Sequence, residues 1–335
     1  MKKTLGSPRF QTAAVVVVAG LLLWLTFRGS DFAEIRAAFV AADRGLLFWS
    51  LVATMVTYLI RAVRWQVLLS PLGRAGLVNC FSTTVIGFMV NFLAGRLGEI
   101  ARPYLLARRE GFSASGAFAT IVLERVLDLV TVVFLVGLWL LVGPSPSGSD
   151  EVVSGLKFGG FLGLSGASVA LAVMFFFARY PDRSLAMANA VLRFLPAWLE
   201  SRLARFLETF REGLGALVEP SMIAKSAALS LVLWLNVCLA FWLAARAFAV
   251  DFGYGDTFLV IGFLTVGVAV PTPGAIGGYH YMCSLALTTL FGAEATLAQA
   301  VAIAAHAISF IPVTILGILL FAKAGLNFKS ITTTS

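Results

Sequence analysis

Long apolar stretches alternate with short polar ones along the whole chain. Near-unbroken apolar runs cover residues 11–27, 45–69, 115–142, 157–179, 223–249 and 296–322. About 20 such residues span a bilayer core of about 30 Å, so each run predicts a spanning helix. Two other stretches, 79–95 and 257–272, are shorter and broken by Gly or Pro. Each is followed by a second short segment, 99–109 and 279–291. Each pair predicts a helical hairpin that dips into the membrane and returns to the side it left. The expected fold is all-α, one transmembrane domain over 1–335 with six spanning helices and two re-entrant helical hairpins.

Composition agrees with that pattern. Of 335 residues, 59% are hydrophobic and only 13% charged, half the charge of a soluble domain, which is about a quarter. The formal net charge is +8. The basic residues fall between apolar runs, which fits the positive-inside bias and anionic headgroups, and no nucleic-acid partner is expected. Lys2, Lys3 and Arg9, together with Lys323 and Lys329, predict cytoplasmic N- and C-termini, and the acidic loop 144–151 falls outside. The first apolar run lacks a small-x-small cleavage site and reads as an uncleaved helix. Cys80, Cys238 and Cys283 form no CxxC pair, and there are only two histidines. No metal site and no cofactor is expected.

Residues 183–218 differ. Leu192, Leu195, Leu199, Leu203, Phe206, Phe210, Leu214 and Leu217 recur at helical spacing against Arg193, Arg202, Arg205, Glu208 and Arg211, with a break near Pro196. Such a helix either lies on the cytoplasmic membrane face or packs on its own protein.

The broken regions match one another. Ile86-Gly87-Phe88 answers Ile261-Gly262-Phe263. Glu99 to Gly111 spans the same 12 positions as His280 to Gly292, and Gly111 to Arg125 the same 14 as Gly292 to His306. Glu99 thus pairs with His280, Arg125 with His306, and only the tip differs, by six residues. The units, 79–142 and 257–322, are separated by three crossings and so predict inverted repeats, a transporter design with its site near the midplane. Gly95 and Gly98, and Pro271, Pro273, Gly274, Gly277 and Gly278, permit tight backbone at the tips. Irregular backbone at that depth must be covered or line a cavity. The helix after each tip would aim its N-terminus at an anion.

Glu124, Arg125 and Asp128 lie within an apolar run. An isolated charge there costs about 2.5–3.5 kcal/mol, so such residues pair or face a cavity. The repeat predicts an Arg125–Glu99 pair, mirrored by His306 near His280. Those imidazoles titrate near neutral pH, so a proton-linked step is conceivable. Arg61 and Arg64, beside Trp65, read either as an interfacial anchor or as an entrance that gathers headgroups.

Several motifs resemble one known family. They are Arg61-x-x-Arg64-Trp65-x-x-Leu68-Leu69, Asn91-x-x-x-Gly95-Arg96-Leu97-Gly98-Glu99-x-x-Arg102-x-Tyr104, Glu124-Arg125-x-x-Asp128 and Pro271-x-Pro273-Gly274-x-x-Gly277. The family is the lysylphosphatidylglycerol synthase transmembrane-region, or flippase-like, family. The resemblance implies an inner-membrane protein that moves an anionic phospholipid or polyprenyl-linked headgroup, with no catalytic residues and a lipid-synthesising enzyme as partner. By motif it implies substrate-binding roles for Arg96, Glu99, Arg102, Glu124, Arg125 and the Pro273, Gly274, Gly277 loop; Asp128 and the repeat-matched His280 and His306 join them. His280 and His306 depart from the family's acidic residue and Arg, so substrate identity does not carry over. The alternative is a membrane-embedded transferase on a lipid phosphate, with Glu99, Glu124 or Asp128 as base. A non-catalytic scaffold would have no use for charges at depth.

Overall fold

The computed structural model describes residues 8–144, 150–270 and 272–325, except the side chains of 8–15, 150–153 and 156. Pro271, Lys2, Lys3, Lys329 and the tip of the acidic loop lie outside the described residues, as does the Arg9 side chain.

Among the described residues the architecture is wholly helical. The order is α1 (Pro8–Phe27), α2 (Phe32–Ala41), α3 (Arg44–Leu69), α4 (Leu77–Ala94), α5 (Gly98–Glu110), α6 (Ala114–Val142), α7 (Asp150–Arg179), α8 (Pro181–Leu192), α9 (Ala197–Gly213), α10 (Pro220–Ala247), α11 (Thr257–Ala269), α12 (Gly278–Phe291) and α13 (Ala295–Lys323). By length and apolar character six helical stretches could cross a bilayer, or up to seven if bent α1–α2 counts as one. α2, absent from the apolar pattern, turns 76° from α1. It starts at Asp31, whose carboxylate accepts from Ala33 N at 2.7 Å, a cap of about 1 kcal/mol.

One of the six stretches, 77–110, is folded back on itself. Glu110 Oε1 accepts from Gly76 N at 2.9 Å and from Asn79 Nδ2 at 2.8 Å. The end of α5 therefore lies beside the start of α4, on one face of the protein. Phe252 and Phe291 stack with ring centres 5.0 Å apart, so α11 and α12 also begin and end together. Close glycine contacts allow both hairpins. A Cβ on Gly98 would lie 2.8 Å from the Gly87 carbonyl carbon, and one on Gly278 3.2 Å from that of Gly267.

The hairpins enter from opposite faces. α3 and α10 run antiparallel: Asp43 N donates to Ala247 O (2.9 Å) at one end, and Ser70 Oγ meets Met222 Sδ (3.3 Å) at the other. α4 follows the end of α3, whereas α11 follows the end of α10. The tips meet inside, where Arg96 Nη2 donates to Ala269 O at 3.3 Å and the Phe92 ring lies against Gly274.

The two units share dimensions. α6 and α13 both have 29 residues, with starts and ends each 181 positions apart. Gly111 (φ 75°) and Gly292 (φ 63°) end α5 and α12 in the left-handed conformation, which glycine adopts without steric cost. One correspondence needs correction. Gly87 is matched by Gly267, not Gly262, because the packed pairs Gly87–Gly98 and Gly267–Gly278 are each 11 residues apart. Counted between these glycines the hairpins are equal, but α11 (13 residues) is shorter than α4 (18), so the segment between helices is 270–277 in the second against 95–97 in the first. α12 exceeds α5 by one residue, 14 against 13.

The amphipathic segment breaks before Pro196 as expected. The C-terminal part of α9 packs on its own protein, with Gly213 against Gly116 and Ser115 hydrogen-bonded to Thr209. Met187 and Val191 of α8, Phe194 in the break and Trp198 of early α9 stay exposed.

Replacing Gly98 or Gly278 by Ala should destabilise by about 1–3 kcal/mol through overpacking. Gly137→Ala, with nothing within 4 Å, should not. Thermal unfolding of purified protein in detergent checks this.

Candidate functional site

The site is assembled on α3, α5 and α6. On α3, Ser50, Thr54, Thr57, Arg61 and Arg64 recur every three or four residues, giving an otherwise apolar helix one polar stripe along the interior. Glu124 Oε1 draws in four guanidiniums: Arg125 at 2.5 Å, Arg102 at 3.1 Å, Arg64 at 3.3 Å and Arg61 at 3.9 Å. Asp128 takes Arg64 at 2.6 Å, Arg125 at 3.2 Å and Arg61 at 3.7 Å. The guanidinium of Arg102 lies 3.9 Å from the Trp65 ring centre, and that of Arg61 lies 5.1 Å from the Phe88 ring centre.

Arg64 is fully buried and Arg61 8% exposed, so both lie inside the protein, Arg61 on the wall of an internal cavity. Two carboxylates on α6 hold them there. The expected Arg125–Glu99 pair is absent: Arg125 turns to Glu124 and Asp128, carboxylates of its own helix. Glu99 makes no salt bridge in the cluster and lines the cavity beside it.

That cavity has a volume of about 390 Å³. Arg61, Arg96, Glu99, Arg125 and Asp128 form its charged wall, and Val132, Leu264, Val268 and Phe310 are among its apolar lining. It reaches along α3 from Arg61 to Ser50, whose hydroxyl donates to Ala240 O at 2.7 Å. A smaller space of about 200 Å³ lies at the meeting point of the tips, lined by Gly95, Gly98 and Thr272 as well as Arg96, Glu99 and Arg102. Buried Arg61 Nε and Nη1, and Arg125 Nε, have no hydrogen-bond acceptor in the protein.

Of the other expected site residues, Gly274 lines the smaller space, and the histidines lie further back. His280 and His306 face one another at 4.6 Å between ring centres, as the repeat predicted. His306 Nε2 is 2.7 Å from Gly274 O. Both sit among Tyr279, Phe310 and Phe27, and neither lines the two cavities. Gly277, where α12 starts, packs under Ala19 and Leu22 of α1. Gly98 and Glu99 in the first turn of α5 and Tyr279 in the first turn of α12 nonetheless line the cavities. Pro273 remains exposed at the tip, and Gly274 is buried against Phe92. The neighbouring Ala275 carries φ 56° without being glycine, a strained state of about 1–3 kcal/mol.

Two participants escaped the sequence reading. Ser230 Oγ accepts from Arg64 Nη1 at 2.8 Å, and Trp234 Nε1 donates to Asp128 Oδ1 at 3.0 Å. Ser226, Ser230 and Trp234 recur every four residues on α10, a periodic signal as plain as that on α3.

Helices that break at mid-depth around a charged internal cavity define a multi-pass membrane protein with a buried polar site. The chain belongs to the lysylphosphatidylglycerol synthase TM region family, whose model matches residues 11–317. It is also similar to glycosyltransferase AglD of Haloferax volcanii, 29% identical over 167 residues. That match covers 47% of this chain and 26% of the relative, so the chain spans well under two thirds of the protein it matches.

Glu124→Gln should cost about 3–5 kcal/mol, as when one partner of a buried ion pair is removed. Glu99→Gln, outside the salt bridges, should stay within about 0.5 kcal/mol. Arg125→Glu, which sets a third carboxylate beside Glu124 and Asp128, should destabilise strongly, and adding Glu99→Arg should not restore stability. Thermal unfolding in detergent ranks these variants.

Proposed function

We propose that the protein moves an anionic lipid headgroup across the cytoplasmic (inner) membrane, with N- and C-termini in the cytoplasm. The observation that carries this reading is the meeting of two broken-helix hairpins from opposite faces, at a cavity whose wall bears Arg61, Arg96 and Arg125. In this reading 79–142 and 257–322 are inverted repeats, and the equal lengths of α6 and α13 and the matching glycine caps support it. A headgroup would leave water for the cavity and rest against the arginines while its acyl or polyprenyl chains stay in lipid. The apolar half of the cavity lining suits the chain-proximal end of such a molecule. Family membership supports a lipid-related role, and a lipid-synthesising enzyme is the partner this role calls for.

A transferase acting on a lipid phosphate is the second reading, favoured by the partial similarity to a glycosyltransferase. Glu124 and Asp128 are committed to arginines and are poor bases, which leaves Glu99.

Proteoliposomes carrying fluorescent anionic lipids should expose both leaflets to dithionite when the protein is present. Arg125→Ala should slow that exchange by roughly tenfold or more, as loss of a buried charge contact does. Absence of transbilayer movement for every anionic lipid tried defeats the transport reading. Product from a labelled polyprenyl phosphate and a sugar donor would favour the transferase.

A further inference from the structure

The charges around the cavity do not cancel. Arg61, Arg64, Arg102 and Arg125 face Glu124 and Asp128 only, which leaves two positive charges in the interior. Arg96 and Glu99, which join them on the cavity wall, add one charge of each sign and leave the balance unchanged. Guanidiniums keep their proton under all relevant conditions, so the surplus cannot be relieved by deprotonation. The structure also shows where the surplus faces. All four retain nitrogens without acceptors, but Arg64 and Arg102 line no part of the larger cavity, whereas Arg61 and Arg125 do.

From this we infer that the site is matched to a headgroup carrying two negative charges, a phosphomonoester or a diphosphate, rather than to a singly charged phosphodiester. This rests on the headgroup reading above and narrows it. Two guanidiniums on one wall can each give an N–H to a different oxygen of one phosphate, or to the two phosphates of a diphosphate. A phosphodiester would neutralise one and leave the other uncompensated at depth, where unpaired charge is most costly. The 390 Å³ cavity has room for either dianion, and its apolar lining points to a lipid rather than a free anion as the source.

Calorimetric titration of the detergent-solubilised full chain tests the charge match by binding alone. Short-chain phosphatidic acid, close to doubly charged at pH 8, should bind at least about tenfold more tightly than short-chain phosphatidylglycerol. At pH 5, where the monoester loses a charge, the preference should fall. Arg61→Gln lowers the surplus to one and should abolish the preference while keeping phosphatidylglycerol binding. Should that variant not elute as folded protein, Arg125→Gln, at a side chain 39% exposed, makes the same subtraction. Equal affinity for the two lipids, or an undiminished preference in the folded variant, overturns the inference. Inorganic phosphate should compete weakly, and competition as strong as that of phosphatidic acid would overturn the lipid source. Preferential binding with no movement in proteoliposomes would sink transport and leave the charge match standing. Movement of both lipids with equal affinity would do the reverse.

Discussion

A single carboxylate oxygen, Oε1 of Glu124, lies within 4 Å of guanidiniums from α3, α5 and α6. In a low-dielectric interior such an anion persists only with partners, and its partners persist only with it. The first hairpin is held by this mutual need: α5 can turn back from the tip beside α6 because Arg102 meets Glu124 there. Apolar packing closes the same contact, with the Trp65 ring under Arg102 and its indole N–H donating to Thr120 at 2.8 Å.

The second hairpin is secured by different means. It has no ion pair with its own unit among the described residues. Its tip is filled by rings: Tyr279, His280, His306 and Phe310, with Phe92 reaching over from the first hairpin. Two units of like dimensions thus present unlike walls to the space between them, one charged and one aromatic. The backbone plan is shared because helix lengths, left-handed glycines and glycine–glycine contacts set it, whereas the side chains at the meeting point are free to diverge.

How much of this was legible follows from the range of each interaction. Helix boundaries came through within a few residues, since apolar runs and Gly or Pro breaks are local signals. The hairpins were legible for the same reason. α2 was not, because Glu34 and Arg36 dilute its apolar character and only the Asp31 cap marks its start. Long-range pairing was the chief loss. Nothing near Arg61 or Arg64 in the chain announces that their partners lie on α6, some 60 residues on. Proximity to a helix end suggested an interface instead. The Arg125–Glu99 pairing failed because a neighbouring carboxylate on the same helix was a nearer competitor. The polar stripes on α3 and α10 did contain the answer, since polar residues at helical spacing on spanning helices mark the side that turns from lipid.

The connections around the hairpins are unequal in length. α5 passes to α6 through Gly111, Phe112 and Ser113, and α12 to α13 through Gly292, Ala293 and Glu294. Three residues reach about 10 Å at full extension. The leading helices, α4 and α11, follow longer connectors, 70–76 and 248–256. Each hairpin is therefore leashed at its trailing end and slack at its leading end. Any swing must pivot about Gly111 or Gly292, carrying the trailing helix as the axle and sweeping the leading helix through the wider arc.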